Sequence, residues 1–172
     1  MVASIEAVRG DITQQRVDAI VNAANSSLLG GAGVDGAIHA AAGPSLLAEC
    51  RELRRTSHPD GLEVGDAVVT GAGDLPARWV IHTVGPNALA GETDPALLAS
   101  CFSSSLREAV RVGARSIAFP AVSAGLYAWP TEEVARIAVT TVRDASELEH
   151  LDLVRFVLFN EVLHQAFLAA LA

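Results

Sequence analysis

Asp35 is the single carboxylate inside a glycine cluster, Gly30-Gly31-Ala32-Gly33-Val34-Asp35-Gly36, and two amides stand just ahead of it in Val21-Asn22-Ala23-Ala24-Asn25. Glycines let backbone N–H groups approach a ligand closely and take φ > 0, so such a loop at the carboxyl end of a strand can wrap a phosphate. A carboxylate beside that anion is repelled, because unit charges about 4 Å apart cost ~1 kcal/mol in water and more in a drier site. Asp35 must therefore be aimed at another part of the ligand. An anion cradle with one acid at its edge predicts a nucleotide site with chemistry beside the phosphates.

The elements that position these residues alternate. Apolar runs of strand length fall at 4–8, 19–22, 66–70, 79–83, 116–119 and 153–159, with helix-period segments between them and Gly/Pro punctuation at the junctions. The clearest helix follows Pro130-Thr131, with Val134, Ile137, Ala138, Thr141, Val142 and Ala145 on one face. Others run from about 95 to 112 and from about 161 to 171, and the first starts near Gly33 and breaks at Gly43-Pro44. The short turn through Gly73-Asp74 and Pro76 makes 66–70 and 79–83 an antiparallel pair. The expected fold is α/β, a three-layer α/β/α sandwich with a central mixed sheet, formed as one domain over 1–172. In open α/β sheets ligands bind outside the carboxyl ends of the strands. Three loops there suit a ligand: Gly10-Asp11-Ile12-Thr13, the segment 22–36, and 120–130.

Composition narrows the function. Hydrophobic residues make up 51% of 172, yet no apolar run is long enough for a membrane span or a secretory segment, so a soluble, cytoplasmic protein with no membrane partner is expected. The net charge of −8, without a basic stripe, argues against direct nucleic-acid binding. All 12 basic residues are arginine. The absence of lysine excludes Schiff-base catalysis and the P-loop lysine, leaving backbone N–H groups and helix N-termini to hold an anion. Cys50 and Cys101 read as reduced core thiols, and the five histidines show no metal-ligand spacing, so neither a metal nor a cofactor is expected.

In this order the loops resemble the macrodomain family, specifically its MacroD-like branch of small ADP-ribose hydrolases. The likeness runs through Gly10-Asp11-Ile12-Thr13, Val21-Asn22-Ala23-Ala24-Asn25, the stretch 33–44, His82-Thr83-Val84-Gly85-Pro86 and the loop 123–130. The resemblance implies that Asp11 and the Ile12 backbone read adenine and that Phe159 packs on its face. It implies that the loops carrying Asn22, Gly31, Ala32, Gly33 and Val34, and Ser123, Ala124, Gly125 and Leu126, bind the diphosphate region. Tyr127 and Asn25 would flank the distal ribose, with Asp35 as the catalytic acid and Asn25 assisting it. The implied activity removes mono-ADP-ribose from ester-linked glutamate or aspartate side chains of modified proteins, deacetylates O-acetyl-ADP-ribose, or both. A macrodomain that reads ADP-ribose without turning it over is the alternative.

The chain departs from the branch at Ala32 and Ala128, where glycine is usual, at Ala124, where threonine is common, and at Asn160, where an acid often stands. A methyl at Ala32 or Ala128 narrows φ/ψ space. Each residue also has a structural reading: Asp11 as a turn cap, Asn25 as a turn residue, Asp35 as a helix N-terminal acid, Tyr127, Trp129 and Phe159 as packing aromatics, His39 as a satisfied helix histidine. Two rival motifs are weaker. Gly31 to Gly36 formally fits a Rossmann fingerprint, but it lies too far from the strand, and Glu52 falls in a helical stretch. Ala121-Val122-Ser123-Ala124-Gly125 imitates a nucleophile elbow with Asp144 and His150 downstream, but the helix after it starts several residues late.

Overall fold

The computed structural model describes residues 2–172. Six strands form: β1 (Ser4–Arg9), β2 (Ala19–Ala24), β3 (Ala67–Gly71), β4 (Trp79–Val84), β5 (Ser116–Phe119) and β6 (Leu153–Leu158). They lie in one sheet in the order β1-β6-β5-β2-β4-β3, parallel throughout except for the antiparallel edge pair β3–β4. The central strands are covered on both faces, which is why β2 and β5 read as continuous apolar runs rather than alternating ones. β2 continues two residues beyond its expected end. Asn22 therefore lies inside the sheet, and Asn25 is the first residue past it.

Five helices complete the layers: α1 (Gly33–Ala42), α2 (Pro44–Arg55), α3 (Pro95–Arg111), α4 (Thr131–Arg143) and α5 (Glu161–Leu171). The break at Gly43-Pro44 has two causes. Gly43 takes φ 81, which L side chains avoid, and Pro44 can only begin the next helix. Asp94 caps α3 through the Ala96 N–H, and Asn160 caps α5 through the Leu163 N–H, which gives this departure from the family pattern a structural role. α1 and α2 cover one sheet face over Ile20, Ile38, Leu46 and Val80. α3, α4 and α5 cover the other, where Phe102, Phe119, Phe156 and Phe167 pack with ring centroids 5.0–6.4 Å apart. This aromatic cluster ties α3 and α5 to β5 and β6, whose carboxyl ends face the cleft described next. Among the described residues no helix is long and apolar enough to cross a membrane.

Candidate active site

The carboxyl ends of all five parallel strands open into one cleft of about 1250 Å³. Asp11 and Ile12 follow β1, Asn25 follows β2, Gly85 follows β4, the 120–127 segment follows β5 and Phe159 follows β6, while Ala32 to Asp35 bring in the start of α1. Among the described residues Arg9 is the only cation in this lining, and its guanidinium pairs with Glu161 at 3.2 Å.

The electropositive surface of the cleft is main chain. The N-cap of α1 is Ala32, which has no side-chain oxygen, so the first N–H groups of the helix have no capping partner. The positive end of the helix dipole therefore points into the cleft. Opposite it, the loop after β5 is folded by Ala124 N–H to Ala121 O, Ala128 N–H to Gly125 O and Trp129 N–H to Ser123 O. These bonds leave the Gly125, Leu126 and Tyr127 N–H groups without a backbone partner among the described residues. A Cβ on Gly33 would lie 4.0 Å from Leu126 Cδ1, so the two loops meet across the cleft. Ala128 sits at φ 60, a region that favours glycine, so its methyl is a real constraint. Ala32 does not share it: its φ of −97° is ordinary extended backbone that alanine adopts freely.

At one end of the cleft Asn25 and Asp35 converge. The Asn25 Oδ1 accepts from the Ser27 N–H at 3.0 Å and from the Ser27 hydroxyl, and its Nδ2 donates to Gly30 O at 3.0 Å. One amide hydrogen remains free. Asp35 is 3% exposed; its Oδ1 accepts from Asn22 Nδ2 at 2.9 Å, and its Oδ2 is buried with no partner. Gly31 separates the two groups, since a Cβ there would lie 3.0 Å from Asn25 Nδ2 and 3.2 Å from Asp35 Oδ2. Beside this pair the Tyr127 phenol is pushed above its usual range, first by burial and then by the charges of Glu92 and Asp35.

At the other end Asp11 Oδ1 accepts from Thr13 N–H at 2.9 Å and Thr13 Oγ1 at 2.7 Å, so the capping reading holds for that oxygen. Phe159 is 65% exposed at the rim, just past the end of β6, and is not a core aromatic. Trp129 is packed in the core.

Three residues expected at the ligand do not line the cleft. Asn22 is fully buried behind Asp35, because the β2 pleat turns its side chain under α1. Gly31 is exposed and sits against Asn25 and Asp35 without entering the lining. Ala124 spends its N–H closing the loop and packs against the core. His39 is not satisfied as expected: its Nε2 is buried without a hydrogen-bond partner, 3.4 Å from Asp35 Oδ1. The spacing of Asp35 and His39, one helical turn apart, is the signal for that approach. The elbow reading fails on topology. Ser123 has φ 68 at the strand carboxyl ends, whereas Asp144 and His150 follow α4 and precede the amino end of β6.

The geometry has counterparts. A profile of the Macro domain family matches residues 21–138. A macro domain-containing protein of Streptomyces griseus is 60% identical over 156 residues, covering 91% of this chain and 88% of that one. The ADP-ribose glycohydrolase MACROD2 of Xenopus laevis is 53% identical over 159 residues, which is 90% of this chain and 36% of that longer protein. The crystal structure of a Trypanosoma brucei macrodomain in complex with ADP-ribose superimposes with a TM-score of 0.88 at 40% identity, over 98% of this chain and 69% of that one.

Proposed function

This chain belongs to the Macro domain family, and from that premise we propose that it hydrolyses ADP-ribose esters. The observation that carries the reading is the buried, unpartnered Asp35 Oδ2 beside the free amide hydrogen of Asn25, at the foot of an uncapped helix N-terminus. The likeness to a MACROD2 glycohydrolase and to a macrodomain holding ADP-ribose supports it.

In this reading the diphosphate lies between the first turn of α1 and the Gly125 to Tyr127 N–H groups. Adenine sits at Asp11, Ile12 and Phe159, and the distal ribose at Asn25 and Tyr127. Asp35 Oδ2 accepts a hydrogen bond from the attacking water and takes up its proton as the water oxygen bonds to the ester carbon; the ester C–O bond then breaks and the proton passes to the departing ribose oxygen. Asn25 holds a ribose hydroxyl. One water is consumed; the products are ADP-ribose and the freed side-chain carboxylate, or acetate when the substrate is O-acetyl-ADP-ribose. A positioned general base contributes about 10²–10⁴-fold, and the fixed geometry of the pair supplies the rest.

The test is turnover of a glutamate-linked mono-ADP-ribosylated protein and of O-acetyl-ADP-ribose by the wild type and by Asp35→Ala. The expected result is release by the wild type and a loss of about 100-fold or more in the variant, with ADP-ribose affinity held within about threefold. Retained binding with no turnover by either protein makes the chain a reader. Absence of ADP-ribose binding removes the proposal altogether.

A further inference from the structure

We propose that His82 is a positioning residue that acts through Asn22 to hold Asp35 in its working orientation, with Thr70 setting the tautomer of the histidine. This rests on the hydrolase reading above and adds residues that touch no ligand.

The hydrogen-bonded line starts at Thr70 on β3 and runs inward to Asp35. The Thr70 hydroxyl has one proton, and it donates it to Gly71 O at 2.9 Å. Toward His82 Nε2, also at 2.9 Å, Thr70 can therefore only accept, so Nε2 carries a hydrogen. His82 is fully buried, and burial followed by the nearby His39 pushes it down to about 3, so the imidazole is neutral and Nδ1 is bare. Asn22 and His82 are register partners on the adjacent strands β2 and β4, and the Asn22 Nδ2 lies 3.1 Å from that bare Nδ1. Nδ2 donates one hydrogen there and its other to Asp35 Oδ1 at 2.9 Å. Turning the amide over would set its oxygen against both a lone pair and a carboxylate. The amide is thus locked, and its Oδ1 remains buried without a partner. The result is one consistent line of donors, His82 to Thr70 and Asn22 to both His82 and Asp35, that leaves Asp35 Oδ2 as the carboxylate's unpaired oxygen. The titratable groups around the line are Asp35 and His39 from α1 and Cys50 and Glu49 from α2; the Cys50 thiol lies 3.9 Å from His82 Nε2 and is itself raised to about 11, so it stays protonated.

Two measurements on the full chain test this. Long-range ¹H–¹⁵N spectra of histidine-labelled protein should show His82 neutral and Nε2-protonated from pH 5 to 8. Thr70→Val, which removes the acceptor at a residue outside the cleft lining, should lower kcat about tenfold or more while KM and the ADP-ribose Kd stay within about twofold, and Thr70→Ser should restore kcat. An Nδ1-protonated His82, titration of His82 within that range, a Thr70→Val enzyme with wild-type kcat, or a loss confined to KM overturns the proposal and leaves the hydrolase reading standing. A wild type that binds ADP-ribose but turns over neither ester overturns the hydrolase reading and this proposal together.

Discussion

Gly31→Ala is the sharpest perturbation the site offers. The backbone at Gly31 is outside the positive-φ region, so alanine is conformationally permitted and only its methyl matters. That methyl would sit 3.0 Å from Asn25 Nδ2 and 3.2 Å from Asp35 Oδ2, a few tenths of an ångström inside ordinary contact on both sides. Neither neighbour can yield freely. Asn25 is pinned to Ser27 and Gly30, and Asp35 to Asn22. The displacement must therefore widen the gap in which water and ribose would be held. A misplacement of about 1 Å costs on the order of 10²-fold, so a few tenths at each group should lower kcat about 10- to 30-fold, or about 1.4–2 kcal/mol in activation free energy. The contacts proposed for phosphate and adenine are untouched, so ADP-ribose titration by calorimetry should give a Kd within about threefold of wild type. Stopped-time assays of O-acetyl-ADP-ribose hydrolysis supply kcat. A variant with wild-type kcat and a structure showing the methyl in place would refute Asn25 and Asp35 as the reacting pair. A fall in affinity that matches the fall in activity would refute the division between binding and chemistry.

Asp11→Asn keeps an oxygen for the Thr13 cap but removes the second carboxylate acceptor, so it should leave the melting temperature unchanged and weaken ADP-ribose by ~1–3 kcal/mol, measured by calorimetry. Ala128→Gly relieves a left-handed alanine and should stabilise the fold by about 1 kcal/mol, a rise of about 2–4 °C in thermal unfolding. His82 is depressed to about 3 from an ordinary 6.5, so the unfolded chain takes the proton first. Its contribution to stability is complete above about pH 6.5 and declines below it, by up to ~1.4 kcal/mol per pH unit, and urea midpoints of His82→Gln should show a correspondingly shallower acid slope.

Much of the cleft was legible because its chemistry is local. A glycine cluster, an acid and two amides within one short segment announce themselves by residue type, and the loops at 10–13 and 120–130 carry their own turn signals. The strands were legible from their apolar runs, and the helix break from Gly43-Pro44. What could not be read is long-range. Asn22 and Asn25 look alike in the sequence, yet β2 extends past the first and stops before the second, so one faces Asp35 from behind and the other faces the cleft. Strand order is likewise invisible locally, and only the pairing of β2 with β4 sets His82 against Asn22. The polar pair His82-Thr83 inside the otherwise apolar β4 is the available hint. The Ala124 N–H closes a turn on Ala121 O instead of facing the cleft, because loop N–H groups close turns as readily as they bind anions and only the fold decides which.

Among the described residues the one cation of the cleft lining, Arg9, is already paired with Glu161, which has a consequence for solution behaviour. In the proposed binding mode one helix N-terminus faces the ligand phosphates and also carries Asp35 in its first turn, so the dipole of α1, equivalent to about half a charge, would serve two anions. The Asn22 amide, 2.9 Å from Asp35 Oδ1, supplies a further donor to that carboxylate. In that binding mode the described residues form no ion pair with the ligand for salt to break. The chain as a whole carries −8, and an ADP-ribose diphosphate approaches it against a repulsive long-range field. Raising sodium chloride from about 0.05 to 0.5 M shortens the Debye length from above 10 Å to below 8 Å, which screens that field while leaving the short N–H contacts intact. The ADP-ribose Kd should therefore stay constant within about twofold or fall. A rise of about fivefold or more would mean that Arg9 leaves Glu161 to grip the phosphates, and the main-chain account of binding would be wrong.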